Sequence, residues 1–322
     1  MQKNFLRTSL IATIIVLLIA VLLINNLHAE YNGECWVVSN GDTVRKLYPD
    51  GKADQRAIPN LTQAQTAEVN PRDGTVWIAV SAANSVYKFN PSSGEFIAIP
   101  NIKRPHSVSV NPVDGTAWIG GLDVVVKVSA AGQVLATIDG VYEPEVAVNL
   151  TDGSCWVTDS RGKIARYDSS GALVVTSPAK LTEPKYVTVN SKTGDAWVAD
   201  MQANILVKLD ANGHELVRLT DIPLPTSPQV NSQDGSLWVV ADSSSLIKLS
   251  ANGQRIKEIQ NVGLAILAIS LDPKDGSLWI ADQLGSTFQG EVSKFSADGR
   301  KLFGTSEIQM PSYVSVGYWP GE

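Results

Sequence analysis

Cysteine is nearly absent: among 322 residues only Cys35 and Cys155 occur, so at most one disulfide could form and the fold must hold by packing. Histidine is as scarce. His28, His106 and His214 are the only three, which excludes metal cages of several imidazoles and leaves a Ser or Cys nucleophile a single His106 to share outside the leader and an outer turn. Charge is modest, with 26 Lys and Arg against 32 Asp and Glu and a net charge of -6. No basic patch offers itself to a phosphate backbone, so nucleic acid is excluded as a partner.

Long apolar runs occur once. Lys3 and Arg7 precede an uncharged stretch from Thr8 to Ile24, followed by Asn25, Asn26 and the small residue Ala29, which is the form of a secretory signal. At ~1.5 Å per residue this stretch would reach roughly 25 Å as a helix, close to the ~30 Å of a bilayer core. Residues 1–29 therefore read as a signal peptide cleaved after Ala29 or as a retained N-terminal membrane anchor. Either way residues 30–322 are expected outside the cytoplasm, in the periplasm, the extracellular space or at the cell surface. Membrane contact is expected only through that segment.

What the chain has in abundance is repetition. Trp36, Trp77, Trp118, Trp156, Trp197, Trp238 and Trp279 are separated by 41, 41, 38, 41, 41 and 41 residues. Each copy holds four short β-type runs, in the third copy SVSV, TAWIG, VVVKV and QVLATI. About 10 residues per strand and turn is the spacing of an all-β repeat. The first two runs are joined by N-P-x-D-G, in which Asp-Gly is expected to supply the left-handed conformations of a tight hairpin. Asp73-Gly74, Asp114-Gly115, Asp152-Gly153, Asp234-Gly235 and Asp275-Gly276 keep it. A second glycine turn, at Gly51, Gly94, Gly132, Gly171, Gly213, Gly253 and Gly299, joins the last two runs.

A four-stranded sheet repeated radially is a propeller blade, so the fold is all-β, a seven-bladed β-propeller. The first copy starts at Cys35 and Trp36 with no inner strand before it, and Tyr313 to Val316 at the other end aligns with Ser107 to Val110. The C-terminal strand is therefore expected to close the first blade as its innermost strand. Cys35 and Cys155 then lie in blades one and four, too far apart for a disulfide. Both occupy a column of small apolar residues, so two buried free thiols are expected.

The string V-x-V-N-P-x-D-G-x-x-W-V-x-D, followed by V-x-K and a glycine turn, resembles NHL-type propeller repeats. In repeat length and blade count it is closest to the virginiamycin B lyase-like group, over about residues 34 to 317. That resemblance implies paired histidine and glutamate chemistry with a magnesium ion. Here only His106 is placed to serve, so the chain departs from the group's pattern at its site.

Shared columns read as structure. The tryptophans read as packing between blades. Lys46, Lys88, Lys127, Arg166, Lys208, Lys248 and Lys294 recur on each third strand and read as cross-strand partners of those tryptophans. Asp159, Asp200 and Asp282 read as holders of the loop that follows. The inner column Glu68, Ser109, Ala147, Thr188, Gln229, Ser270 and Ser315 is expected to line the channel. Thr66, Ser107, Glu145, Tyr186, Ser227, Ala268 and Tyr313 lie one step outward. That lining is small and polar and suits water better than a metal cage, so no metal ligand is assigned and no cofactor is named.

Residues that break the repeat carry the functional expectation. The loops entering the inner strands are expected to share the channel mouth with the loops after the Trp strands. There blade three has Arg104 and His106, blade four Tyr142, Glu143 and Glu145, and blade five Lys185 and Tyr186. In blade seven the loop Gln283 to Gly290 is the longest after a Trp strand. These seven residues of blades three to five are the expected ligand face, with His106, Glu145 and Lys185 as candidate catalytic residues. The leading expectation is an exported, monomeric binding or interaction module for a small molecule, glycan or protein. The alternatives are a lyase or hydrolase using His106, Glu145 and Lys185, with or without a divalent metal, and an envelope structural protein.

Overall fold

A computed structural model describes residues 33–283 and 289–317. The leader at 1–29 and most of the blade-seven loop expected at Gln283 to Gly290 lie outside the described residues.

Seven four-stranded antiparallel sheets stand around a central channel. Blade two shows the plan: Ala64–Val69 innermost, then Val76–Val80 with its Trp, Ser85–Phe89, and Phe96–Pro100 outermost. The inner strands of blades three to seven are Ser107–Val110, Val146–Val148, Pro184–Val189, Thr226–Val230 and Ile266–Leu271. Blade one takes its inner strand from the far end of the chain. Pro311–Val316 pairs antiparallel with Cys35–Ser39, Val316 opposite Cys35 and Ser315 opposite Trp36, so the ring closes as the sequence alignment requires.

The tryptophans hold the blades together. Six are essentially fully buried, and Trp36 is 6 % exposed. Each enters an apolar cluster with the next blade: Trp77 joins Val108 and Ile119 of blade three, and Trp279 joins Val37, Leu47 and Val314 of blade one. An indole is large enough to fill the wedge between two sheets that splay from the axis, which is why one per blade suffices.

The basic column lies where expected. Lys46, Lys88, Lys127, Arg166, Lys208, Lys248 and Lys294 each sit opposite their own Trp in the register. Four ammonium groups lie 5.2–5.5 Å from the indole centroids. The column also has a second task that the sequence did not disclose. Lys88 donates to Ala130 O, Arg166 to Ala211 O, Lys208 to Ala251 O and Lys248 to Ala297 O, each acceptor in the following blade.

The N-P-x-D-G link corrects the tight-hairpin expectation. It is a longer loop, in which Asn70 N donates to Thr75 O at 2.7 Å and Gly74 N donates to Asn70 O at 2.8 Å. Only Gly74 is left-handed, with φ 70°. Asp73 instead accepts from the Thr75 amide and hydroxyl at 2.9 and 2.7 Å, locking the loop from its side chain. At Gly235, φ is 74° and a Cβ would stand 2.9 Å from the Ala251 Cβ, so both backbone and space demand glycine.

The aspartates after the Trp strands hold more than the loop that follows. Asp200 accepts from the amides of Thr182 and Glu183, and Asp282 from those of Leu264 and Ala265. They clamp the loop that enters the inner strand, and Asp200 and Asp159 hold the following loop as well, through Ala203 N and Arg161 N. Cys35 and Cys155 are free and buried, and burial pushes both thiols up.

Candidate functional site

The loops into the inner strands and the loops after the Trp strands share one face, bonded in pairs. Ser81 N donates to Gln63 O, Leu122 N to Lys103 O, Ser160 N to Tyr142 O and Asp242 N to Pro223 O, at 2.7–3.0 Å. From this face a cavity of about 800 Å³ runs into the channel. Every blade contributes to its wall: Tyr313, Gln63, Arg104, Glu143, Lys185, Ser227 and Leu267, in order from blade one.

Of the seven expected ligand-face residues, Arg104, His106, Glu143, Glu145, Lys185 and Tyr186 line this cavity. Tyr142 does not. It is 38 % exposed and lies under the guanidinium of Arg161, 5.8 Å from its carbon, because Asp159 draws Arg161 to that spot with bonds of 2.7 and 2.9 Å. Arg104 and Glu143 hold corresponding loop positions in left-handed backbone, φ 44° and 41°, and each precedes a proline that starts the descent into the channel.

His106 bridges two blades. Its Nδ1 lies 3.2 Å from Arg104 O and its Nε2 3.0 Å from Pro144 O of blade four. Both ring nitrogens are thus occupied by carbonyls, an arrangement that an imidazolium satisfies with two donors and a neutral ring with one. Next to Pro144, Glu145 is pushed above the ordinary carboxylate range by burial, while His106, the Ser107 hydroxyl and Lys185 pull it back. Lys185 is itself drawn to Glu183 at 2.8 Å, which raises its pKa. Burial and the neighbouring Glu145 raise Tyr186. The three candidate catalytic residues therefore form one electrostatic cluster across blades three, four and five.

Serine hydroxyls of the channel lining also tie neighbouring inner strands together. Ser107 and Ser109 of blade three accept from Val146 N and Val148 N of blade four, Ser270 from Val316 N, and Ser315 from Val69 N, at 3.0–3.2 Å. Each links one inner strand to the next. At two places the same serine also gives its proton to a carboxylate: Ser107 to Glu145, and Ser315 to Glu68. Two acids are thus mounted identically, each on a serine of the preceding blade that also holds the amide of the following residue.

Glu68 and its partner Tyr313 are the residues that the expected ligand face omits. The Tyr313 hydroxyl donates to Glu68 Oε2 at 3.1 Å, and burial raises the Glu68 carboxyl to about 7. The signal was present in the column itself. Glu68 is the one carboxylate among Ser109, Ala147, Thr188, Gln229, Ser270 and Ser315.

A magnesium site of the kind implied by the lyase-like resemblance does not fit these residues. Among the described residues no three His, Cys, Asp or Glu side chains gather as ligands. Both His106 nitrogens face carbonyls, and two of the three cavity carboxylates, Glu68 and Glu145, are engaged by serines, which leaves Glu143 alone.

No protein-family model matches the chain, and no curated protein does. Solved structures do. A functionally unknown protein from Desulfotomaculum acetoxidans aligns with a TM-score of 0.75 at 13% identity, over 89% of this chain and 99% of that one. Virginiamycin B lyase from Staphylococcus aureus aligns at 0.63 and 16% identity, over 77% of this chain and 88% of that one. A streptogramin B lyase aligns at 0.64 and 17%, over 78% and 86%. This chain shares their propeller fold. At such identities the likeness extends to the fold and not to a reaction.

Proposed function

We propose that this protein is an exported propeller that binds a small polar ligand in the channel mouth, over blades three to five. The observation that carries the reading is the cavity of about 800 Å³ with the His106, Glu145 and Lys185 cluster in its wall. That volume lies within the roughly 300–1,000 Å³ of ligand pockets, and an apolar scaffold with few convergent polar groups is how such pockets orient a ligand. Export rests on the apolar run and its flanks at residues 1–29. The test is a thermal-shift screen of small polar compounds and short glycans. A hit should stabilise the protein by mass action and lose its effect in His106→Ala and Lys185→Ala, while Tyr142→Ala, outside the cavity, should leave it intact.

One observation favours an enzyme as the second reading. Glu145 is held above the ordinary carboxylate range in the cavity wall with the charges of His106 and Lys185 acting on it, so a carboxyl able to keep its proton faces the site. Incubation with streptogramin B, followed by mass spectrometry, tests this against the lyases of the same fold. A product formed by the unaltered chain and absent with Glu145→Gln would establish it.

A further inference from the structure

Glu68 is an acid that no base serves. It stands on the inner strand of blade two, level with Trp77, and lines the cavity. Its carboxyl is held by two hydroxyls, those of Tyr313 and Ser315, and makes no ion pair among the described residues. Glu145, on the same kind of serine mount, has His106 and Lys185 beside it. The two hydroxyls offset part of the desolvation of Glu68 but no cation does, and its carboxyl is raised to about 7.

The wall two residues away offers no counter-charge either. Thr66 lines the same cavity and is only 7 % exposed, yet its Oγ1 has no hydrogen-bond partner. That oxygen is covered by protein and not open to the cavity, so the wall beside Glu68 brings it no cation and no further accessible donor. Residues two apart on a strand share a face, which puts Thr66 and Glu68 on one side of the inner strand, Thr66 toward the mouth. Tyr313 adds a phenolic oxygen whose proton is already given to Glu68 and whose lone pairs remain.

We infer that Glu68 and Tyr313 form a subsite within the channel, below the mouth, and take the ammonium head of a small organic amine. An ammonium has three donors and no acceptor, and these residues offer it a carboxylate and a phenolic oxygen. The charge that Glu68 lacks arrives with the ligand. A neutral alcohol leaves Glu68 without a cation, and a carboxylate adds a like charge. This assignment rests on the reading of the channel as a binding site, and it fixes which end of the ligand goes in first.

Calorimetric titration of the full chain with n-butylamine, butan-1-ol and butyrate tests it. The amine should bind about tenfold or more tighter than either isostere, the usual worth of hydrogen bonds to a charged group. Glu68→Gln should erase that preference without lowering the melting temperature. A readout on the unaltered protein needs no variant. Because a bound ammonium keeps Glu68 ionised, binding near pH 7 should release protons to the buffer, seen as a heat that depends on the buffer's ionisation enthalpy. The titratable groups facing Glu68 are Tyr313 of blade one and, near Tyr313, Glu145, while the blade-three strand presents serines. Equal affinity for amine and alcohol, or an amine affinity unchanged in Glu68→Gln, would overturn the assignment. Loss of amine binding in His106→Ala and Glu145→Gln but not in Glu68→Gln would overturn it and leave the mouth reading standing. The reverse pattern would keep Glu68 and retire the mouth cluster.

Discussion

Val316 pairs with Cys35 across 281 positions of sequence (316 minus 35), and that pairing turns seven sheets into a closed ring. The strand carrying Val316 also seats Val314 and Tyr313 against Trp279 and Val292 of blade seven. A chain ended at residue 310 should therefore lose its inner strand in blade one and its seam with blade seven together. The expected outcome is loss of the cooperative thermal transition, seen by circular dichroism, with rapid proteolysis. Val314→Ala, a milder cut into the same seam, should cost about 2 kcal/mol. An unchanged melting temperature for the truncated chain would refute the closure.

The lysine column predicts a stability effect with a built-in control. Lys88 is 9 % exposed, lies 5.3 Å from the Trp77 centroid, and donates to Ala130 O of the next blade at 2.9 Å. Lys88→Met keeps the stem and removes both contacts, so it should destabilise by about 1–2 kcal/mol in denaturant titration. Lys52→Met, on an exposed turn, should stay within about 0.5 kcal/mol. Equal effects would mean that the ammonium of Lys88 does not stitch the blades.

The thiols should be silent until the ring opens. Cys35 and Cys155 are 0 % exposed, and desolvation disfavours both thiolates. Reaction with a disulfide reagent should be negligible in the native protein and should reach two thiols per chain in denaturant, the number in the sequence. A fast native reaction at either position would contradict its placement between blades.

Much of this architecture is written in the chain because a period is a long-range signal: the seven tryptophans fixed blade number, and the match of Tyr313 to Ser107 fixed closure. The loop geometry around Asp73 was misread because Asp-Gly also suits a tighter turn, and only the Asn70 to Thr75 bonds distinguish them. The site was legible where it breaks the repeat, at Arg104, His106, Glu145 and Lys185. Tyr142 broke it too but is drawn aside by Arg161, a contact between residues 19 apart that no pattern announces. Glu68 was visible as the one carboxylate in its column, yet only a neighbouring blade decides that it goes without a cation, just as only the packing decides that the Thr66 hydroxyl goes without a bond.

The two channel acids and one outer aspartate set opposite slopes of stability against pH. Glu68, raised to about 7, holds its proton more tightly folded than unfolded, where the ordinary value is about 4.3. Over that window the native state binds more protons, so stability falls as pH rises from about 5 to 8. Glu145, also raised, contributes the same sign. Asp54 is lowered to about 2, chiefly by its bond with the Arg56 side chain, so it favours the folded state above pH 4 and that gain is lost as pH falls toward 2. Melting temperature should accordingly peak in mildly acid buffer. Glu68→Gln removes a charge that the channel solvates poorly, and at pH 8 it should stabilise by about 1–2 kcal/mol, allowing for screening by channel water. At pH 5, where Glu68 is already protonated, the gain should vanish. A constant difference between the two proteins across this range would place the Glu68 carboxylate in open solvent and remove the basis for its raised pKa.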